Sequence, residues 1–245
     1  MPLTNVTETR PHSPNTLSDS GLRLFLDSAA PEDWARFLPL GVFYGVTTNP
    51  LLLQRAGQDC TLQNLEKLAA QVAELGVREL QMQVWGDNPA AMLDSGSHLA
   101  QMAGLGLDIV IKVPATEDGY QVARRLADAG ARITMTAVYT PGQVLLAAGF
   151  GAAYAAPYLG RMLDAGQPGR DIVLAMNAIL QPTAGASRLL VASLRQAEQV
   201  VDLAQQGLDT FTFGAPVAAE LFASDLTSQA AAQFQAAALA MNGQD

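Results

Sequence analysis

The chain alternates short apolar runs with longer stretches in which apolar residues return about every three or four positions. The short runs have the length and composition of buried strands, and the longer stretches have the period of amphipathic helices. After Gly21 we count eight such pairs. The predicted strands are 22–27, 45–49, 79–85, 108–113, 132–138, 154–159, 187–193 and 210–215, and the predicted helices between them include 61–75, 88–103, 117–129, 170–181 and 195–206.

Helix boundaries are marked by a few residues with known capping preferences. Thr116 in the run TEDG is a candidate N-cap, because its hydroxyl can accept a hydrogen bond from an amide of the first turn. Gly76 and Gly207 follow predicted helices, where glycine commonly ends the helix in a left-handed conformation.

The eight pairs predict a single-domain parallel (β/α)8 barrel, a TIM barrel, over residues 21–245. Parallel strands need helical crossovers, and the eighth strand of such a series can pair with the first. A doubly wound open sheet is the alternative. The last segment, AAAQFQAAALAMNGQD, continues past the eighth pair as an extra Ala-rich helix that could lie on a neighbouring subunit. Residues 1–20 are rich in Thr, Ser, Pro and Asn, and we expect a flexible tail.

The amino-acid composition limits the classes of molecule that the protein is expected to bind. The 245 residues carry a formal net charge of −9 and a pI near 4.6, which disfavours binding to nucleic acid or to an anionic membrane. Cys60 is the only cysteine, so an intrachain disulfide is impossible and a reducing compartment fits. No membrane-spanning apolar run is present in the sequence. We therefore expect a cytoplasmic protein without a membrane or nucleic-acid partner.

Histidine is as scarce as cysteine, and this limits the possible chemistry. His12 and His98 are the only two, so a histidine-based metal site or a Ser-His-Asp triad has almost nothing to be built from. The sequence also contains no Walker loop and no strand-linked Gly-x-Gly-x-x-Gly motif. We expect a reaction that needs neither a metal nor another cofactor.

In a barrel of this kind the chemistry is expected at the carboxyl ends of the strands. Polar residues are found at or just after most of the predicted strand ends. They include a carboxylate, amides, hydroxyls, a lysine and two arginines: Asp27, Thr47, Thr48, Asn49, Gln83, Lys112, Thr136, Tyr158, Arg161, Ser193 and Arg195. The barrel would bring these groups to one mouth.

Lys112 is the most unusual of these residues. It lies in the otherwise apolar run DIVIKVP, where an unpaired ammonium would be costly to bury. The chain has two lysines against twelve arginines, and arginine can neither lose its proton nor form an imine. Burial favours the neutral amine, which can attack a carbonyl carbon. Two interpretations remain open: Lys112 is a nucleophile, or it is the structural ion-pair partner of Asp27.

Five motifs resemble, in order and spacing, the transaldolase family of class I Schiff-base aldolases. They are LFLDSA, GVTTNP, DIVIKVPATEDG, TMTAVYTPGQVLLAAGFGAAYAAPYLGR and LVASLR, and the resemblance runs from about Leu22 onward. GVTTNP together with IKVPAT is a strong joint signal. The resemblance implies that Lys112 attacks the ketose carbonyl at C2 and forms an imine.

Three positions distinguish the branches of that family. Transaldolases proper typically carry Glu on the third strand, Asn two residues before the fifth-strand Thr, and Ser-Pro-Phe on the sixth strand. This chain has Gln83, Thr134 and the run 156–158 (Ala-Pro-Tyr) at those places. Gln83 and Tyr158 resemble the fructose-6-phosphate aldolase branch. A glutamine cannot exchange a proton as a glutamate can, so the tyrosine hydroxyl would take over part of the proton transfer.

The resemblance also implies roles for the other residues. Tyr158, Gln83 and Thr136 would hold the water that carries protons. Asp27 and Asn49 would hydrogen-bond the hydroxyls of the dihydroxyacetone unit. Thr47 and Thr48 are further candidates for substrate binding, but they could equally fill the barrel mouth. Arg161, Ser193 and Arg195 would hold a terminal phosphate.

The sequence therefore predicts a class I aldolase. It would reversibly cleave fructose 6-phosphate or a similar sugar into dihydroxyacetone and glyceraldehyde 3-phosphate, so its partners would be ketose and aldehyde substrates. A transaldolase that passes the three-carbon unit between sugar phosphates is one alternative. A catalytically silent barrel that binds a sugar phosphate is another. The family resemblance and the Ala-rich last helix also predict a homo-oligomer.

Overall fold

A computed structural model describes residues 21–181 and 186–242; the predicted tail 1–20 lies outside them. Within this part of the chain, nine parallel strands alternate with helices. The strands are β1 (Arg23–Asp27), β2 (Gly45–Thr47), β3 (Glu79–Gln83), β4 (Asp108–Pro114), β5 (Arg132–Val138), β6 (Tyr154–Pro157), β7 (Arg188–Leu189), β8 (Val191–Leu194) and β9 (Thr210–Phe213).

The helices of the described residues occupy the connections between the strands. They are α1 (Pro31–Phe37), α2 (Pro50–Arg55), α3 (Leu62–Glu74), α4 (Pro89–Ala100), α5 (Glu117–Asp128), α6 (Pro141–Phe150), α7 (Leu159–Asp164), α8 (Gly169–Leu180), α9 (Ala197–Gln205), α10 (Ala215–Phe222) and α11 (Asp225–Asn242). The short helices α2 and α7 directly follow β2 and β6, and no periodic pattern in the sequence predicts them.

The seventh predicted strand closes the barrel. It is interrupted at Leu190, so that its first half forms β7 and its second half forms β8. β7 pairs with β6, and β8 pairs with β9, which in turn pairs with β1. The same strand thus joins the two ends of the sheet, and the predicted parallel barrel is confirmed. The open doubly wound sheet is wrong, because an open sheet would leave both of these edges unpaired.

The predicted capping residues act as expected. The Thr116 hydroxyl accepts a hydrogen bond from the amide of Gly119 at 3.0 Å at the start of α5. Gly76 and Gly207 follow α3 and α9 with φ angles of 74° and 84°, in the left-handed region that glycine enters without steric cost.

Strand alternation separates an outer core from the barrel interior. Leu26 and Ile111 belong to the apolar layer between strands and helices, whereas Phe25 and Val110 pack inside the barrel with Tyr154. Successive strand residues point to opposite faces, so the residue two places after Phe25 and the one two places after Val110 also face the interior. These are Asp27 and Lys112, and each lies at the carboxyl end of its strand.

The extra C-terminal helix is also confirmed. Helix α11 leaves four large apolar side chains exposed to solvent, among them Phe234 at 73%: Leu226, Phe234, Leu239 and Met241. None of the helices in the described ranges combines the length and apolar character needed to cross a membrane.

Candidate active site

A cavity of about 490 Å³ opens at the carboxyl ends of the strands. It lies where active sites of such barrels form, between the ends of β1, β4, β8 and β9 and the helices α2 and α7. Seven of the predicted site residues line it, so the barrel brings most of them together: Asp27, Asn49, Lys112, Tyr158, Arg161, Ser193 and Arg195.

Lys112 lies at the cavity with only 3% of its surface exposed. It forms no hydrogen bond and no ion pair with any residue in 21–181 or 186–242. The structural ion pair with Asp27 is therefore not formed, and the amine is left available to a molecule in the cavity. The side chain is therefore almost entirely enclosed by the barrel, while its amine is not held by a carboxylate of the described residues.

Asp27 is held in place by a buried threonine. Thr47 is fully buried, and its hydroxyl donates to Asp27 Oδ1 over 2.6 Å while lying 2.5 Å from Thr212 Oγ1. Thr47 does not itself line the cavity; it orients the carboxylate that does. One carboxylate oxygen of Asp27 is thus occupied, and the other remains available for substrate.

A pair of hydroxyls forms another part of the site. Thr136 Oγ1 lies 2.9 Å from Tyr158 Oη, and the ring of Tyr158 packs edge-on against Tyr139 with the centroids 5.9 Å apart.

Gln83 on β3 is the register partner of Lys112 on β4, so both side chains rise from the interior face at the same level. Neither Gln83 nor Thr136 is among the residues that line the cavity.

Asn49 serves first as a helix cap. Its Oδ1 accepts hydrogen bonds from the amides of Leu51 and Leu52 at 3.0 and 3.1 Å, at the start of α2. This use of the acceptor leaves the amide nitrogen of Asn49 as its free polar group at the cavity. The same residue therefore sets the direction of α2 and can offer a donor to substrate.

The predicted anion-binding side contains an ion pair that the sequence did not indicate. Arg195 holds Asp164 through two contacts, Nη1 to Oδ1 at 2.6 Å and Nη2 to Oδ2. The hydrogen bond from Arg195 lowers the pKa of Asp164 below its usual range. Arg161 has no hydrogen bond or ion pair with a described residue. Of the two predicted arginines, only Arg161 is without a hydrogen bond or ion pair to the described residues, although its charge also acts on Asp164.

Close backbone packing shapes this side of the cavity. Ser193 has a φ angle of 59°, a strained conformation for a residue with a side chain. Gly160, at the start of α7, lies so close that a Cβ placed on it would come within 2.3 Å of the Ser193 carbonyl oxygen. Only glycine permits this approach of α7 to β8, which brings Ser193 and Arg161 to the same cavity.

Thr48 is not brought into the site. Its side chain lines a small apolar cavity outside the barrel wall, together with Trp34 of α1 and Leu68 of α3. The Thr48 hydroxyl is buried and has no hydrogen-bond partner among the residues that the structure describes. The reason is strand alternation, since neighbouring residues 47 and 48 face opposite sides of the wall.

Two cavity residues were missed at the sequence level. Asp164 follows Arg161 by three positions and so lies on the same face of α7, a signal that helical spacing could have shown. Arg55 also lines the cavity, from the last turn of α2. Nothing in the sequence pattern had predicted the short helix that places it there.

A polar network that was also missed lies deeper in the barrel. Glu79 is fully buried and accepts hydrogen bonds from three side chains at 2.8 to 3.0 Å: Gln81, Arg132 and Tyr154. Burial raises the pKa of Glu79, and the nearby Arg132 guanidinium offsets this only in part. The alternating polar residues 79, 81 and 83 of β3 were the available sign that this strand faces a polar interior.

Within the described residues, no three His, Cys, Asp or Glu side chains lie close enough together to hold a metal ion. The cavity is lined instead by four basic side chains and two acidic ones, in a chain of net charge −9. Its positive balance suits an anionic small molecule. The set of groups at hand is an unpaired amine, a carboxylate, a tyrosine hydroxyl and arginines.

Comparison with known proteins shows which family this chain belongs to. The family model described as Transaldolase/Fructose-6-phosphate aldolase matches residues 24–244. The chain belongs to the transaldolase and fructose-6-phosphate aldolase family. It is therefore an enzyme with aldolase or transaldolase activity.

Individual relatives of this family cover nearly the whole chain. A protein of Dehalococcoides mccartyi, named a probable transaldolase, is 30% identical over 215 residues, which is 88% of this chain and 97% of that protein. Probable transaldolases of an Anaeromyxobacter species and of Chlorobium phaeobacteroides are each 32% identical, over 88% and 87% of this chain and 95% and 96% of those proteins.

Solved structures outside the family share the fold alone. Thiamine phosphate pyrophosphorylase of Pyrococcus furiosus superposes with a TM-score of 0.57 at 12% identity, over 80% of this chain and 86% of that chain. A mandelate oxidase variant superposes with a TM-score of 0.56 at 18% identity, over 79% and 64% respectively. At these identities the likeness concerns only the barrel architecture.

Proposed function

We propose that this family member is a class I aldolase that reversibly cleaves fructose 6-phosphate into dihydroxyacetone and glyceraldehyde 3-phosphate through an imine on Lys112. The observation that carries the proposal is Lys112, which is 3% exposed, lines a cavity with an excess of basic side chains and forms no ion pair with a described residue. A lysine amine in its unprotonated form is a nucleophile for a carbonyl carbon.

The reaction begins at the ketose carbonyl. Lys112 Nζ attacks C2, and the carbinolamine loses water to give an iminium ion. When the C3–C4 bond breaks, its electron pair moves into the iminium and forms an enamine, while the C4 hydroxyl loses its proton and becomes the aldehyde. Protonation of the enamine at C3 and hydrolysis of the imine then release dihydroxyacetone and the free amine.

The proton transfers are assigned to the hydroxyl pair. Tyr158 Oη lines the cavity and lies 2.9 Å from Thr136 Oγ1, so a proton or a bound water can be passed at this point. Asp27, oriented by Thr47, and the amide nitrogen of Asn49 hydrogen-bond the hydroxyls of the three-carbon unit. These contacts hold C2 in line with the amine.

The alternative is a transaldolase that transfers the three-carbon unit to a second sugar phosphate, as the names of the relatives suggest. Gln83, Thr134 and Tyr158 favour cleavage, because the chain lacks the strand-3 glutamate and places a tyrosine hydroxyl at the site. Addition of erythrose 4-phosphate separates the two activities. A transaldolase turns over fructose 6-phosphate much faster with this acceptor, whereas an aldolase releases free dihydroxyacetone without it.

The test of the mechanism is reductive trapping. The protein is incubated with dihydroxyacetone or fructose 6-phosphate and borohydride, which reduces an imine to a stable amine, and the adduct is located by peptide mapping. We expect the adduct on Lys112 and none in Lys112→Arg. Lys67 is the only other lysine and is exposed on α3, so Lys67→Arg is the matched control and is expected to keep the adduct. Absence of an adduct with both ketoses would support the silent sugar-phosphate-binding barrel.

We further propose that the enzyme is a homo-oligomer in which α11 lies on a neighbouring copy. The support is the large apolar area that α11 exposes, which a monomer in water would leave unburied.

A further inference from the structure

The cavity contains a third arginine, whose role neither the sequence motifs nor the family match supplies. Arg55 lies in the last turn of α2, the helix that follows β2, and lines the cavity. Arg161 approaches the cavity from α7, and Arg195 from the position directly after β8.

Helix geometry explains how Arg55 reaches the cavity. Leu53 is buried at 2% exposure and anchors α2 on the barrel, which fixes the rotation of the helix. Leu51 and Leu52 line the cavity, and Arg55 follows them by four and three positions, so all three share one helix face. The Asn49 cap and Pro50 at the first position determine where this face begins.

The three arginines differ in what they already bind. The guanidinium of Arg195 donates to both oxygens of Asp164, in the bidentate arrangement that arginine and carboxylate groups commonly form. Arg55 and Arg161 have no hydrogen bond or ion pair with a residue in 21–181 or 186–242. An incoming anion must compete with Asp164 for Arg195, whereas no described residue occupies the donors of the other two arginines.

We propose that Arg55 is a specificity-determining residue, which binds the phosphate of the substrate together with Arg161 and so selects phosphorylated over neutral acceptor aldehydes. This inference rests on the proposed aldolase function. Arg195 then acts mainly through its pair with Asp164, which places α7 against β8 and positions Arg161. The substrate class is an aldehyde with a terminal phosphate rather than an unphosphorylated hydroxyaldehyde.

The test compares two acceptors that differ by the phosphate. Aldol addition of dihydroxyacetone to glyceraldehyde 3-phosphate and to glyceraldehyde is measured with the wild type, Arg55→Gln and Arg55→Lys. Loss of a charge-assisted contact at an exposed site is expected to raise KM for glyceraldehyde 3-phosphate about tenfold in Arg55→Gln. The kcat/KM for glyceraldehyde should stay within about twofold, and Arg55→Lys should restore part of the difference.

Arg125→Gln is the matched control. Arg125 is also exposed, is in the last turn of its helix, α5, and has no ion pair with a described residue, but it does not line the cavity. It should leave both acceptors unchanged. Equal losses for the two acceptors in Arg55→Gln, or no loss for either, would overturn the assignment of Arg55.

A binding measurement keeps this inference separate from the proposed chemistry. Calorimetric titration with inorganic phosphate should show about tenfold weaker binding to Arg55→Gln than to the wild type, whether or not the protein is an aldolase. Trapping with dihydroxyacetone, which carries no phosphate, should still label Lys112 in Arg55→Gln. No label in the wild type refutes the proposed function; equal phosphate binding by the wild type and the variant refutes the role of Arg55.

Discussion

Thr136 Oγ1 and Tyr158 Oη lie 2.9 Å apart at the carboxyl ends of β5 and β6. The bulge in β5 after Met135, where Ala137 has a φ angle of 56°, shifts the register of the two strands next to this contact. Bulges commonly aim a side chain at a functional site. The contact connects the buried hydroxyl of Thr136 with the hydroxyl of Tyr158, which lines the cavity. Protons can pass along such a pair of hydroxyls.

Tyr158→Phe should lower kcat for cleavage of fructose 6-phosphate by about 100-fold, the usual loss for a general acid or base, and change KM much less. Thr136→Val should lower kcat in the same direction, and the double variant should lose little more than Tyr158→Phe, because the two hydroxyls act on one path. Steady-state kinetics test this expectation. Additive losses in the double variant would show that the hydroxyls act separately.

The neighbours Thr47 and Thr48 form a matched pair of substitutions. Thr47→Val removes the hydroxyl that holds Asp27, and should lower kcat/KM about tenfold and stability by about 1 kcal/mol. Thr48→Val removes a buried hydroxyl that no described residue hydrogen-bonds, and should leave activity unchanged while raising stability by about 1 kcal/mol. Urea unfolding and kinetics of both variants measure these effects. A loss of activity in Thr48→Val would contradict its placement outside the site.

Glu79 should make stability depend on pH. Burial raises its folded-state pKa above the ordinary value of 4.5, so the folded state holds this proton more tightly than the unfolded chain. The free energy of unfolding should therefore fall as the pH rises from about 4.5 through the folded-state pKa. In Glu79→Gln this contribution is absent. Urea unfolding of both proteins between about pH 4 and 8 gives a difference curve, and a flat difference would refute the expectation.

Gly160→Ala should disturb both stability and phosphate binding. The added Cβ would meet the Ser193 carbonyl oxygen at 2.3 Å, so α7 must move away from β8, at a cost of about 1 to 3 kcal/mol. KM for phosphorylated substrates should rise because Arg161 moves with the helix. Gly149→Ala in α6 is the control, since its Cβ meets nothing within 4 Å and alanine favours a helix by about 1 kcal/mol. Two variants of equal stability would contradict the close approach at Gly160.

The exposed apolar side chains of α11 should hold subunits together. Phe234→Glu combined with Leu239→Glu places charges where a neighbouring copy would bury apolar surface, and should reduce the mass measured by sedimentation. Gln235→Glu, in the same helix, adds one charge without removing an apolar group and is the control. Wild-type protein that sediments as a monomer would exclude the oligomer.

Most of the fold follows from local patterns. The run 132–138 is a strand with the same bounds in prediction and structure, because its apolar and β-branched residues favour no other element. The short helix that bears Arg55 could not be predicted, because six residues give too little periodicity. The break at Leu190 was equally hidden, since it lies where pairing passes from β6, which pairs with residues 188–189, to β9, which pairs from Val191 onward.

The eight-fold alternation, the residues at the strand ends and the lysine inside a strand can be read from residue type and spacing alone. The folded structure was needed to establish that Thr47 faces Asp27 while Thr48 faces the outer core, that Asp164 occupies Arg195, and that Arg55 joins the site. These relations depend on the direction in which each side chain leaves a twisted, closed sheet. These contacts are between residues far apart in the chain, and no local sequence pattern indicates which of them lie close together in space.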